Sequence, residues 1–297
     1  MSSSAVVFNV QRMSLDDGPG VRTTFFLKGC NLDCAWCHNP ESVSHRPELM
    51  CHKALCTSCG ACAEACPRNA ILAGTIDRAE CMACGACAEV CLNGALTLCG
   101  RAMTPEEAVD LAARDLPYYR RAGGGATFSG GEPLLSFEFL QETLPLCVSR
   151  GIHTAIDTAG NLPYDRIEPL ISCTGLFLYD IKTADPGLHK KFCGTDNALI
   201  LDNLKRIAKA GARIWVRVPV IEGVNADESE MRAIAEALRS IGGIERIELL
   251  PYHALGAPKR AALGLLAEME FNTPDPEKMT KFAGFFEKNG VEIIVKS

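Results

Sequence analysis

The chain has 297 residues, 47% hydrophobic and 22% charged, which suffices for one sizeable α/β domain with an inserted module and is too apolar for a disordered chain. A formal net charge of -6 offers no concentrated basic face for neutralising phosphates, so no nucleic acid is expected as a partner. No apolar run approaches the roughly 18 residues of a membrane span, and Met1-Ser2-Ser3-Ser4 lacks the features of a secretory signal, so a cytoplasmic protein without a membrane partner is expected.

In chain order, the first strand candidate covers 22–28, preceded by Asp16-Asp17-Gly18-Pro19-Gly20 and followed by Cys30, Cys34 and Cys37. These three open the dominant feature of the sequence, its 16 cysteines. A cytosol keeps thiols reduced, so metal explains them better than a disulfide framework. Two further groups follow, Cys56/Cys59/Cys62/Cys66 and Cys81/Cys84/Cys87/Cys91. Cys51, Cys99, Cys147, Cys173 and Cys193 share no spacing and read as small buried hydrophobes.

The second and third groups form a repeat with a period of 25 residues, bounded by the polar stretch 42–48 and by Gly100. Each half has the C-x2-C-x2-C-x3-C spacing of a two-cluster bacterial ferredoxin, in which three close thiolates hold one cubane and the fourth crosses to the other. The sets should therefore interleave as Cys56, Cys59, Cys62 and Cys91 against Cys81, Cys84, Cys87 and Cys66. Pro67 follows the first half as that pattern expects, whereas Leu92 replaces the second proline. Structural zinc is the alternative, but zinc ribbons pair two C-x2-C knuckles and do not pack four cysteines into eleven residues.

After the repeat, Thr104-Pro105-Glu106-Glu107 supplies an N-cap, a proline at the first helical position and an acidic first turn, so a helix opens there. Strand candidates at 126–129, 153–157, 176–181, 214–220, 247–250 and 291–295 then alternate with helical patterns such as 199–210 and 227–240, the rhythm of parallel βα units. The polar signals gather just past the C-terminal ends of these strands, where βα barrels place active sites. They are Gly29-Cys30, Ser129-Gly130-Gly131-Glu132-Pro133, Asp157-Thr158, Asp180-Ile181-Lys182, Arg217 and Pro251-Tyr252-His253.

Cys30-x3-Cys34-x2-Cys37 gives three thiolates for a four-iron cubane and leaves one iron open to a substrate; a three-cysteine zinc site completed by His38 is the alternative. The C-x3-C-x2-C spacing, with Trp36 before the last cysteine, resembles the cluster motif of radical S-adenosylmethionine (SAM) enzymes. Residues 16–23, 36–42, 123–133 and 249–253 together resemble the glycyl radical enzyme activating enzymes, the pyruvate formate-lyase activase family. The insert matches its subgroup with a two-cluster ferredoxin-like module. Ala122, Ala159 and Cys193 depart from the residues common in that family.

The resemblance implies a partial, open (β/α) barrel of radical SAM type, an α/β fold with an inserted ferredoxin-like domain holding two 4Fe-4S clusters. Residues 1–48 would carry the first barrel strand and the radical cluster loop, 49–100 the insert and 101–297 the rest of the barrel. Implied cofactors are three 4Fe-4S clusters and SAM. The SAM site would comprise Trp36, His38, Asn39, Gly130, Gly131, Glu132, Asp180, Lys182, Arg217 and His253, with Glu132 beside the methionine amino group. A monovalent cation is implied at Asp157, Thr158 and Asp180. An electron from a low-potential donor such as flavodoxin or ferredoxin would cleave SAM, and the resulting 5'-deoxyadenosyl radical would take a glycine Cα hydrogen from a partner glycyl radical enzyme. Asp17, Gly18, Pro19 and Gly20 would form the rim for that peptide, close to the cluster loop. A radical SAM enzyme acting on another peptide or a small molecule, and a pure electron-transfer iron-sulfur protein, are the alternatives; the Asp17-Gly18-Pro19-Gly20 turn speaks against the first and the open iron against the second.

Overall fold

A computed structural model describes residues 3–72, 74–265 and 269–296. In chain order its strands are β1 (Ala5–Ser14), β2 (Arg22–Leu27), β3 (Glu48–Cys51), β4 (Ile71–Leu72), β5 (Thr75–Ile76), β6 (Leu96–Cys99) and β7 (Arg101–Met103). They continue as β8 (Gly125–Gly130), β9 (His153–Thr158), β10 (Leu176–Asp180), β11 (Ile214–Val220), β12 (Arg246–Pro251) and β13 (Glu292–Val295).

Nine of these strands make one mixed sheet in the order β13-β12-β11-β10-β9-β8-β2-β1-β7. From β2 to β13 every pairing is parallel, and all seven predicted strands lie there with each end within one residue of expectation. The sequence reading did not foresee β1 and β7, which extend the sheet by antiparallel pairing beyond β2.

The helices follow from local chemistry. Helix Pro105–Ala113 opens with a full capping box, in which the Thr104 hydroxyl accepts from the Glu107 N–H while the Glu107 carboxylate accepts from the Thr104 N–H. Helix Glu228–Ile241 starts at Asp227, whose carboxylate accepts from the Glu230 N–H at 2.9 Å. Their apolar faces pack on the outer face of the sheet, where Phe25, Phe128, Ile156, Phe177, Tyr179, Val216 and Leu249 belong to one buried core.

Side chains alternate across a strand, so the residues between these face inward. Near the strand starts the inner face is apolar, with Ala155, Leu176, Leu178 and Trp215 in a separate buried cluster. Two residues further along the same strands stand Asp157, Asp180 and Arg217, and the parallel register sets Asp180 beside Arg217. The inner face thus changes from apolar base to charged mouth along each strand. The sheet also curves. Lys296, just past β13, meets Asp16, between β1 and β2, at 3.1 Å, although these elements lie far apart in strand order.

Residues 48–99 fold outside that sheet as the pair β3–β6, the hairpin β4–β5 and two short helices, Ala61–Ala65 and Ala86–Glu89. Among the described residues no helix is long and apolar enough to cross a membrane.

Candidate active site

The loop after β2 is held from both sides. Its Gly29 and Cys30 amides donate to the Ser42 and Val43 carbonyls at 2.6 and 3.1 Å. Those of Asp33 and Ala35 donate to Cys193 and Phe192, at the end of helix Pro186–Cys193, at 3.0 and 2.9 Å. This clamp turns Cys30, Cys34 and Cys37 toward a cavity of about 260 Å³ at the barrel mouth. Burial pushes the Cys30 and Cys37 thiols up to about 12, and a hydrogen bond with Cys193, together with burial, holds Cys34 well above the usual thiol range. Thiols raised in this way are protonated at ordinary pH, and binding a metal centre would release their protons.

The same cavity is lined by Trp36, His38, Asn39, Gly130, Gly131, Asp157, Thr158, Asp180, Lys182, Arg217 and His253, every other residue expected around the cluster and SAM except Glu132. Trp36 is fixed by Phe192 and Phe271, each at a ring distance of 6.2 Å. The His38 and His253 rings meet edge-on at 4.3 Å. Burial, with His253 and Lys259 nearby, lowers His38 to about 4, so its imidazole is neutral at ordinary pH.

The charges are already paired. The Lys182 ammonium donates to Asp180 at 2.8 Å. Burial opposes that charge most strongly, but Asp180, Cys34 and Cys193 together outweigh it and hold the ammonium well above its usual range. Arg217 donates to Asp157 and to Glu248, both at 3.3 Å, and to the Asp16 carbonyl. Burial raises Asp157 to about 6 against the pull of Arg217, while Ser129 donates to it at 2.7 Å. Asp157, Thr158 and Asp180 do meet at one wall, yet each carboxylate is balanced by a cation of the chain itself, and the Thr158 hydroxyl is given to Glu132 at 2.7 Å.

Two expectations need correction. Glu132 does not face the cavity. It is buried, and its carboxylate accepts from Thr158, from the Ala159 and Gly160 amides at 3.0 and 3.2 Å, and from the Leu134 amide at 3.2 Å. Desolvation raises it to about 7. It fixes the loop that follows β9. Gly130 and Gly131 do line the cavity, but a Cβ at either would first collide with backbone of residues 26–29. Their lack of side chains joins β8 to the cluster loop, through Gly131 N–H to the Leu27 carbonyl at 2.9 Å and Glu132 N–H to the Gly29 carbonyl at 2.7 Å.

The second correction concerns the acidic turn. Its last residue, Gly20, packs against residues 122–124 at the opposite end of β2 from the cluster loop, so only part of the segment lies near that loop as expected. Its Asp16–Asp17 leg instead doubles back over the inner face. The Asp17 carboxylate accepts from Ser14 at 2.6 Å and Thr24 at 2.7 Å, and its carbonyl accepts from Thr127 at 2.7 Å. Asp16 and Asp17 there border a second, larger cleft of about 1000 Å³, whose other walls include β1, His38, Asn39, Arg217, Met50, His52 and residues 97–99.

Sequence reasoning missed Lys259 and Glu41. Lys259 donates to the Asn39 side chain at 2.7 Å and to the His38 carbonyl at 3.1 Å, and pairs with Glu41 at 2.8 Å, so it secures the turn after the cluster loop. Only the charge of Lys259 hinted at this, because no spacing links it to residues 38–41.

In the insert, Cys56, Cys59, Cys62 and Cys91 border one cavity of about 270 Å³. Cys66, Cys81, Cys84 and Cys87 border a second, narrower one. Cys51 also lines the first. Of the other cysteines read as buried hydrophobes, Cys99, Cys147 and Cys193 are buried and Cys173 is half-buried.

Comparison with known proteins follows the same lines. The profile of the Radical SAM superfamily matches residues 24–235. The trans-4-hydroxy-L-proline dehydratase activating enzyme of Clostridioides difficile is 40% identical over 95% of this chain and 96% of its own length. The (2S)-3-sulfopropanediol dehydratase activating enzyme of Klebsiella oxytoca is 37% identical over 99% of this chain and 98% of its own. A crystal structure of a domain of pyruvate-formate lyase-activating enzyme from Bacteroides vulgatus is 36% identical, with a TM-score of 0.51, over 59% of this chain and 100% of that one.

Proposed function

We propose, for a chain that belongs to the radical SAM superfamily and within it to the activating enzymes of glycyl radical enzymes, that the barrel-mouth cavity is where the family's 4Fe-4S cluster and SAM meet and that the adjoining cleft receives the partner's glycine. The protein installs a glycyl radical on a partner enzyme. The observation that carries the site assignment is the convergence of Cys30, Cys34 and Cys37 with Asp180, Lys182, Arg217 and His253 around one cavity.

The donor set fits the group. Three thiols carried on one short loop, Cys30, Cys34 and Cys37, would hold the cluster, and the rest of the cavity would receive SAM beside it. Bound together, cluster and SAM supply a carbon radical able to take a hydrogen atom from a glycine Cα. The chain's own task is placement. Asp180 and Lys182 offer opposite charges to the zwitterionic end of SAM, at the cost of opening their mutual ion pair. Arg217, tied to Asp157 and Glu248, keeps the wall between cavity and cleft rigid. His38 and His253 stand at the passage, since both line the two spaces.

The cleft suits an extended peptide. It is open and bordered by both β1 and residues 97–99 of the insert, so main-chain groups could approach it. Asp17 and its turn would contact the peptide; Gly18, Pro19 and Gly20 would support Asp17 from beneath. We further propose that residues 49–100 form a module holding two 4Fe-4S clusters, one on Cys56, Cys59, Cys62 and Cys91 and the other on Cys66, Cys81, Cys84 and Cys87. What supports this over single metal ions is that the two interleaved sets expected from the ferredoxin spacing line two separate spaces, the first of about 270 Å³. Saturated clusters offer no position to substrate, so their role would be electron entry from a flavodoxin or ferredoxin.

The test is anaerobic activation of the glycyl radical enzyme whose gene lies nearest. Reduced protein with SAM should give the doublet of a glycyl radical in electron paramagnetic resonance (EPR). SAM cleavage at full rate with no doublet on that enzyme or its glycine-bearing peptide would contradict the cleft assignment.

A further inference from the structure

We infer that Cys51 is a reserve ligand of the first cluster in the insert, able to replace Cys56; the inference rests on the proposed two-cluster reading of residues 49–100. A cubane takes four thiolates, and the cavity assigned to it is bordered by five cysteines, whereas the second cavity is bordered by four. The surplus thiol is well placed. A Cβ built on Gly74 would touch Cys56 Sγ at 3.4 Å and Cys51 Sγ at 3.5 Å, so the two sulfurs flank one point of the cavity wall.

The two are mounted differently. Cys51 ends β3, opposite Leu96 of β6, and is only 6% exposed. The next amide, His52, donates to the Ala95 carbonyl at 2.7 Å and pins the strand end. Cys56 instead follows a single turn, Lys53–Leu55, none of whose residues is buried, and its own amide is held by one 3.1 Å bond to the Lys53 carbonyl. A ligand on an exposed turn beside a thiol on a buried strand would allow one Fe–S(Cys) bond to break as another forms. The Cys51 thiol gives up its proton as it binds, the released Cys56 thiolate takes one up, and no electron is gained or lost.

Anaerobically reconstituted variants decide it by iron and sulfide content, with EPR of the reduced protein. The parent should hold about twelve irons. Cys56→Ala should keep nearly all of them with altered insert signals, and Cys51→Ala alone should keep them with unaltered signals. Cys51→Ala/Cys56→Ala should lose about four irons, or convert one cluster to a three-iron form. Cys59→Ala, which has no neighbouring surplus thiol, should behave like the double variant. The same comparison with Cys56→Ser, closer in volume, covers poor folding of the alanine form; iron retained in both Cys56→Ser and Cys51→Ala/Cys56→Ser would assign the ligand to serine and overturn the proposal. Equal loss in Cys56→Ala and the double variant would overturn it as well. A parent with only about four irons would instead refute the two-cluster reading beneath it.

Discussion

The barrel mouth and the insert both turn cysteines toward cavities, and they differ in what completes the wall. Around Cys30, Cys34 and Cys37 stand a lysine, an arginine, two aspartates and two histidines. Around the eight ligand candidates of the insert stand mostly small and apolar residues, such as Leu49, Ala70, Ile71, Ala95 and Leu96. A site with an unfilled coordination position needs charged groups to hold and orient what fills it. A saturated site needs only shielding from water. The difference in surroundings, more than the cysteine count, separates the proposed place of chemistry from the proposed place of electron entry.

Removing a ligand from each region should expose that difference most. Cys34→Ala should abolish reductive SAM cleavage and lose about four irons while keeping about eight, measured by iron analysis and by 5'-deoxyadenosine formation. The converse change, Cys59→Ser together with Cys84→Ser, should retain SAM binding and cleavage driven by a strong chemical reductant. It should lose activation of the partner when a protein donor supplies the electron. If that double variant matches the parent with the protein donor, the insert is no relay.

The next effect is smaller and lies in the cleft. Asp17→Ala should leave uncoupled SAM cleavage near the parent rate and lower radical transfer to the glycine peptide roughly ten- to a hundred-fold, the cost of a misplaced reactant. Thr24→Val loosens the same turn but keeps the carboxylate, so it should transfer at close to the parent rate. Equal losses in both variants would make Asp17 a brace for the turn and not a peptide contact.

Glu132 sharpens the comparison by pH. Its folded value, about 7, lies above the ordinary 4.5 because burial disfavours the charge. Between those values the unfolded chain has lost the proton that the folded chain keeps, so stability must fall as pH rises through this window. The parent should lose about 1.4 kcal/mol per pH unit relative to Glu132→Gln there, and the two curves should run parallel above it. Denaturant titrations at several pH values measure this, and parallel curves throughout would mean that Glu132 is ionised across the window. Smallest of all, Thr104→Ala should cost about 1 kcal/mol by removing the capping box, with no effect on either cluster region.

Much of this was legible in the sequence, for physical reasons that differ by element. Strands such as Ile214–Val220 are buried on both faces and read as apolar runs, here interrupted only by Arg217, and the cysteine groups announce themselves by spacing. β1 was not legible, because its outer half carries Asn9, Gln11, Arg12 and Met13, all exposed, and its place is set by pairing with β2. The site residues of the barrel mouth were found because strand ends converge there. Glu132 was misjudged because a motif fixes the backbone but not which way a carboxylate turns, and here three amides and a hydroxyl draw it away from the cavity. The acidic turn was placed only in part for a similar reason, since adjacency to β2 in sequence says nothing of how the chain folds back across the sheet to bring Asp16 and Asp17 toward His38. Cys51 carried no spacing signal; only the approach of Gly74 shows it beside Cys56.

The most direct test of the division between the two regions is EPR of the reduced, anaerobically reconstituted protein before and after addition of SAM. The account predicts that SAM shifts the signal of one cluster alone and that this response vanishes in Cys34→Ala while the remaining signals persist unchanged. A SAM response that survives in Cys34→Ala, or that appears in the signals lost from the Cys59→Ser/Cys84→Ser double variant, would contradict it.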